Sequence, residues 1–197
     1  MSEAHLSFFM TLIGYLSGSI LYGYFLPKVL YGVDVREYGD GNPGAFNAGL
    51  ACSKPLGVVC ALLDMLKAIV PVAVAFHGLR LTGWYLVMPV LAPFFGHLYP
   101  CTLHFRGGKA ITAAFGSLMG LLPVCWLSLV WAICILVLLP FIRDHAKLIR
   151  ASLLLFLPAG FVYVKTLSMR CVVLLISLFV GYRHLPEESR LKRSKIR

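Results

Sequence analysis

Apolar residues run through this chain in long blocks, separated by short polar segments rich in glycine, proline and charge. The blocks are continuous rather than alternating, which predicts helices instead of half-buried strands, and several are long enough to cross a bilayer. They place membrane spans at 6–31, 56–77, 84–104, 109–124, 125–142, 151–166 and 168–183. The fourth is short for an upright crossing, which takes about twenty residues, so it is expected to tilt or to re-enter. The first run lacks a basic leader and a small-residue cleavage pattern and is read as a retained span. The expected fold class is all-α: a polytopic helical membrane protein of about seven transmembrane helices with cytoplasmic glycine-rich loops, one domain over 1–197 with a basic tail at 184–197. Prolines at 71, 89, 93, 123, 140 and 158 lie in or beside the runs, where membrane helices tolerate them as kinks or ends.

Composition agrees. The 197 residues are 59% hydrophobic and 13% charged, whereas a soluble domain carries about a quarter charged residues. The net charge of +10 is distributed unevenly. Seven crossings put the two ends on opposite sides. With the C-terminus inside, inner segments hold fourteen cations: Lys28, Arg36, Lys54, Arg106, Lys109, Arg143, Lys147, Arg150, Arg183 and the tail residues Arg190, Lys192, Arg193, Lys195 and Arg197. Outer segments hold three, Arg80, Lys165 and Arg170. The positive-inside rule therefore sets the N-terminus outside and the C-terminus in the cytoplasm, and puts the polar loops and the tail on one face. A basic run beside a span is attracted to anionic lipid. Without a folded basic domain, nucleic acid is not the expected partner. Six cysteines without C-x-x-C spacing and six histidines without H-E-x-x-H give no metal site, and no cofactor is expected.

Two polar stretches carry candidate chemistry. Tyr38–Gly49 has four glycines and one proline in twelve residues. Gly39, Gly41 and Gly44 spell G-x-G-x-x-G, but a dinucleotide loop needs a preceding strand, and here a long apolar helix precedes it. Irregular backbone in a membrane protein is tolerated where protein or water satisfies it, which points to a polar loop shaped to hold an anion. Asp34, Arg36, Glu37, Asp40, Asn42 and Asn47 crowd the same region. In Phe105–Ala110, the pair Gly107-Gly108 followed by Lys109 opens a helix; free N–H groups, the positive end of the dipole and an ammonium make a phosphate cradle. A plain cytoplasmic turn with ordinary positive-inside charge fits the same spacing. It is not a Walker A loop, since the upstream glycine is absent and Ala110 stands in place of Ser/Thr. Asp64 and Lys67 are spaced i, i+3 inside a span, either as a structural ion pair with Lys67 snorkelling or as a functional one. His184 ends the last span, where an imidazole can take up a proton near neutral pH.

In order along the chain, several stretches resemble the bacterial acyl-phosphate:glycerol-3-phosphate acyltransferases, the PlsY family. They are Gly18-Ser19-Ile20 with Tyr22-Gly23-Tyr24; Asp34-Val35-Arg36 with Gly41-Asn42-Pro43-Gly44-Ala45 and Asn47; Leu62–Lys67; Gly96–Pro100; Gly107-Gly108-Lys109; and Arg183-His184. The resemblance implies a seven-span fold with a cytoplasmic active site. It also implies transfer of a fatty acyl group from acyl-phosphate to glycerol 3-phosphate, giving lysophosphatidic acid and phosphate. On that pattern Lys109 and the Gly107-Gly108 backbone bind phosphate, together with Gly41, Asn42, Gly44 and Thr112. Asn47 positions a substrate and His184 binds or relays a proton. The chain departs from the pattern at five places. Family Gly-Ser-Gly-Asn is Gly39-Asp40-Gly41-Asn42; Gly-Ala-Thr-Asn is Gly44-Ala45-Phe46-Asn47; the following arginine is Leu50. Gly-Val-Ala-Thr after Gly-Gly-Lys is Ala110-Ile111-Thr112-Ala113, and His-x-x-Asn is His184-Leu185-Pro186-Glu187. Asp40 is then expected either to pair with Arg36 or to act as a base. The competing expectations are a degenerate member with another acceptor or a non-catalytic lipid- or partner-binding role, and a transporter with Asp64 and Lys67 along a midplane path.

Overall fold

The computed structural model describes residues 1–185, and the described residues are helix and turn without strand. The rest of the basic tail, with Glu187 and the five tail cations, lies outside the described residues. The chain forms two compact units, Met1–Ser128 and Leu129–Arg197.

In the first unit, α1 (Glu3–Gly18) and α2 (Tyr22–Tyr31) replace the single span expected at 6–31, and their axes bend by 42° at the break. Gly32 in the left-handed region ends α2. A short turn of helix at Val35–Glu37 leads through the glycine loop to α3 (Ala45–Ala51). Then α4 (Lys54–Ala73) starts from Ser53, whose hydroxyl accepts from the Leu56 N–H, with Pro55 in its first turn where a missing donor does no harm. It widens into a π-turn at Val74–Gly78, and α5 (Gly83–Leu98) and α6 (Ile111–Met119) follow. The span expected at 109–124 is therefore only the nine-residue α6. It ends at Gly120, before the turn through Leu122-Pro123. The second unit carries most of α7 (Leu127–Leu138), then α8 (His145–Tyr163) and α9 (Leu167–Arg183), packed as an antiparallel pair. Asp144 caps α8 by accepting from the Lys147 N–H at 2.8 Å, so α8 begins six residues before the expected 151. Trp131 stacks on Phe156 with centroids 5.3 Å apart and donates to Ser152 Oγ at 3.1 Å. Among the described residues three helices are long and apolar enough to cross a membrane, four if α1 and α2 form one broken span.

The helices turn the soluble-protein pattern inside out. On α4 the inward face is Gly57, Cys60, Asp64, Lys67, Ala68 and Pro71, while Val58, Val59, Leu62, Leu66 and Val70 are exposed. Leucines outside and charges inside make sense only where the surroundings are lipid.

Small residues set the spacing of α1 and α5. A Cβ on Gly18 would lie 2.2 Å from the Pro93 carbonyl oxygen, and one on Gly96 2.2 Å from that of Tyr15. Both obstacles are backbone, so the helices would have to part. Gly96→Ala is expected to destabilise the protein by about 1–3 kcal/mol, in the range for overpacking. A lowered midpoint of thermal unfolding in detergent measures it.

Candidate active site

Both glycine-bearing loops belong to the first unit and meet through side chains. In the first, Asp34 accepts from Arg36 three times: from the backbone N–H at 3.0 Å, from Nε at 2.9 Å and from Nη2 at 2.6 Å. The Arg36 guanidinium also covers the Tyr24 ring at 4.8 Å. Its hydrogen bonds draw the Asp34 carboxyl down to about 2, with burial opposing. Arg36 is thus engaged by Asp34 rather than by Asp40, and the expected Asp40–Arg36 pair does not form.

Beyond it the chain turns through Gly39 (φ 57°) and Gly41 (φ 70°), conformations that favour glycine. Asn47, fully buried on α3, ties this turn together. Its Nδ2 donates toward the Tyr38 carbonyl at 2.8 Å, the Asn42 carbonyl at 3.0 Å and Asp40 Oδ1 at 3.0 Å. Asn42 N–H also donates to Asp40 Oδ1 at 3.2 Å. The other carboxylate oxygen, Oδ2, receives Lys109 Nζ at 2.6 Å. Burial pushes the Asp40 carboxyl up, but Lys109, the Asn42 N–H and Asn47 together hold it below the ordinary carboxylate value.

The second loop is held by α5. Gly108 N–H donates to the His97 carbonyl at 3.1 Å. A Cβ on Gly107 would come within 2.1 Å of that same oxygen, and one on Gly108 within 2.6 Å of His97 Nε2 and 3.4 Å of Asn42 Oδ1. The pair of glycines is therefore a fitting requirement: the loop lies on the end of α5 with no room for a methyl group. His104, Phe105 and Ala110 all have positive φ (51°, 61° and 59°), and Ala110 leads directly into α6, with Thr112 half-buried in its first turn.

Below the loops lies the buried pair. Lys67 Nζ donates to Asp64 Oδ1 at 2.6 Å and to the Ile20 carbonyl at 2.5 Å, while Tyr22 N–H donates to the same Asp64 oxygen at 3.2 Å. Breaking a helix leaves carbonyls without donors on one side and N–H groups without acceptors on the other. The ammonium answers the first and the carboxylate the second, each matched in sign to its helix end. Thr102 Oγ1 donates to the Ser19 carbonyl and completes the junction. Lys67 does not snorkel: its side chain is 3% exposed. His97 Nδ1 lies 3.8 Å from Asp64 Oδ1, so one histidine lies against both the pair and Gly107-Gly108. Spacing assigned His97 no role; the available signal was its place ten residues before Gly107, at the end of a span.

His184 belongs to the second unit. It is 2% exposed at the end of α9, its Nδ1 donates to the Val180 carbonyl at 2.7 Å, and its ring centroid is 6.1 Å from that of His145. The carbonyl can only accept, so Nδ1 carries a proton in this contact.

The glycerol-3-phosphate acyltransferase family model matches residues 8–194. A glycerol-3-phosphate acyltransferase of Anaeromyxobacter sp. (strain Fw109-5) is 43% identical over 136 residues, which cover 68% of this chain and 66% of that one. Another, of Aquifex aeolicus (strain VF5), is 38% identical over 58% of this chain and 59% of that one, so the chain spans less than two thirds of these curated relatives. The corresponding protein of Albidiferax ferrireducens is 32% identical over 96% of this chain and 88% of its own. Among solved structures, the fold is similar to the glycerol 3-phosphate form of PlsY, an integral membrane glycerol 3-phosphate acyltransferase. That match has a TM-score of 0.84 and 29% identity, covering 95% of this chain and 92% of that one. For its lysophosphatidic acid form the TM-score is 0.81 and the identity 26%.

Proposed function

The chain belongs to the glycerol-3-phosphate acyltransferase family, and from that premise we propose that it transfers a fatty acyl group from an acyl phosphate to glycerol 3-phosphate, releasing lysophosphatidic acid and phosphate. The observation that supports this reading is the junction of the two glycine loops, where Lys109 of one and the Asn47-tied turn of the other meet at the Asp40 carboxylate. An acyl phosphate is an activated mixed anhydride. The acceptor hydroxyl oxygen forms a bond to the carbonyl carbon, the bond from that carbon to the phosphate oxygen breaks, phosphate leaves with the electron pair, and the hydroxyl proton goes to a base. The protein's task is to hold two phosphates, orient the hydroxyl, stabilise developing oxyanion charge and accept that proton.

In this reading Lys109 receives phosphate and Gly107-Gly108 seat it by fitting the loop against α5, since the Gly108 N–H is taken by the His97 carbonyl at 3.1 Å. The sequence pattern adds Gly41, Asn42, Gly44 and Thr112 to the phosphate-binding surface. Asn47 acts by fixing the loop that meets the substrate, and the resemblance gives His184 the role of binding or relaying a proton. The bilayer takes the acyl chain. As a multi-pass membrane protein, the chain is proposed to sit in the bacterial cytoplasmic membrane with its N-terminus outside and both loops on the cytoplasmic face; the distribution of Lys and Arg supports that orientation.

A turnover assay tests the function. Purified protein receives a long-chain acyl phosphate and glycerol 3-phosphate, and equimolar lysophosphatidic acid and phosphate are expected. No product from folded protein, in a mixture where a characterised relative turns over, overturns the reading in favour of a non-catalytic lipid- or partner-binding role. Product from an acyl thioester alone would correct the donor.

A further inference from the structure

Asp40 holds the seat that an acceptor phosphate needs. Three donors surround its carboxylate: Lys109 Nζ at 2.6 Å from one oxygen, and Asn47 Nδ2 at 3.0 Å and the Asn42 N–H at 3.2 Å from the other. An ammonium, a side-chain amide and a main-chain N–H converging on one small anion are a donor set suited to phosphate. Here the protein's own carboxylate fills it. The carboxylate is also the more movable partner. The Asp40 side chain is 47% exposed and sits between Gly39 and Gly41, whereas that of Lys109 is 23% exposed and Asn47 is fully buried. The donors can therefore stay in place while Asp40 swings out.

We propose that Asp40 is a specificity-determining residue that acts as a resident competitor for phosphate, so that a ligand enters this seat only by displacing the carboxylate from Lys109 and Asn47. The inference rests on the reading of Lys109 as a phosphate cradle. Its consequences are particular. A phosphate dianion has charge to exchange for the carboxylate, while a neutral polyol has none, so the pair filters acceptors by charge. Inorganic phosphate, added as a free ligand to this seat, meets the same competitor. Both ligands are weakened in the same proportion, because both compete with one carboxylate.

Direct binding tests this without requiring turnover. Dissociation constants for inorganic phosphate and for glycerol 3-phosphate are measured by calorimetry on the wild-type protein and on Asp40→Asn, Asp40→Ser, Glu37→Gln and Lys109→Ala. Asp40→Asn keeps an oxygen for the Asn42 N–H and removes the charge. It is expected to tighten both ligands by about fivefold, the upper range for a partly exposed ion pair, and Asp40→Ser is expected to do the same. Glu37→Gln, an exposed neutralisation on the same loop, is expected to change binding less than twofold. Unchanged or weaker binding in Asp40→Asn, with Lys109→Ala strongly impaired, overturns the competitor while leaving the cradle intact. Equal tightening by Glu37→Gln also overturns it, since the effect would then be the general field of the loop. If Lys109→Ala binds phosphate like the wild type, the cradle reading fails and the competitor with it.

Discussion

Lys109→Ala is expected to lower kcat/KM for glycerol 3-phosphate by about 10²–10³-fold, the usual loss when one fixed electrostatic contact to developing charge is removed. Geometry makes this site unusually sensitive. Lys109 is placed by Gly107 and Gly108, which lie against the end of α5, and by the left-handed Ala110 that opens α6. Its ammonium is also the cation on Asp40, at 2.6 Å. Removing it takes an attraction away from the phosphate and leaves a carboxylate beside the same seat, still held by Asn47 and Asn42. Two unit charges 4 Å apart interact by about 4 kcal/mol at an effective dielectric of 20. With the Asp40 side chain 47% exposed, only a fraction of that survives solvent screening. Part of the loss is therefore repulsion, and Asp40→Asn in the Lys109→Ala background is expected to recover several-fold. Steady-state kinetics of both variants check this, with circular dichroism confirming unchanged helix content. Full activity in Lys109→Ala would remove the lysine from the mechanism.

The largest effect on stability is expected at Lys67. Replacing it with alanine leaves the Asp64 carboxylate, fully buried, without its cation and the Ile20 carbonyl without its donor. Breaking one side of a buried pair costs about 3–5 kcal/mol, a large part of the roughly 5–15 kcal/mol that holds a typical protein folded. The double variant Asp64→Asn/Lys67→Met removes the uncompensated charge and is expected to recover much of the loss. It does not recover all of it, because the helix break between Gly18 and Tyr22 still lacks the lysine. Thermal unfolding in detergent, with the fraction of monodisperse protein after purification, distinguishes the two. A Lys67→Ala protein as stable as the wild type would show that the pair is not what holds the junction.

The helical class and the polar loops were legible in the chain, whereas two helix starts left local marks that the apolar blocks alone did not reveal. Ser53 before Lys54-Pro55 and Asp144 before α8 supply oxygens where N–H groups lack partners. The break after Gly18 left no such mark. Hydropathy measures transfer from water and does not register a missing hydrogen bond, and the groups that repair the break come from Asp64 and Lys67, more than forty residues away. Asp40 misled for a related reason: Arg36 is its near neighbour in sequence, but Arg36 is captured by Asp34 two residues before it, and the cation that reaches Asp40 lies 69 residues on. The family pattern pointed to two loops far apart in the chain, and only the fold could show that the Asp40 carboxylate of one meets the Lys109 ammonium of the other.

The broken helix carries a consequence for the order in which the protein is made. Residues 3–31 emerge from the ribosome before α4 exists, and in hydrocarbon a break whose N–H and carbonyl groups find no partner is costly. Until then the cheapest form of that stretch is one unbroken rod. When α4 enters, its two charges are already three residues apart on one face, neutralising each other within the incoming helix. The bend between α1 and α2 is then expected to be set when the later segment docks on the earlier one. A chain truncated before Asp64 is expected to hold residues 3–31 straighter, which the distance between spin labels at the ends of that stretch measures.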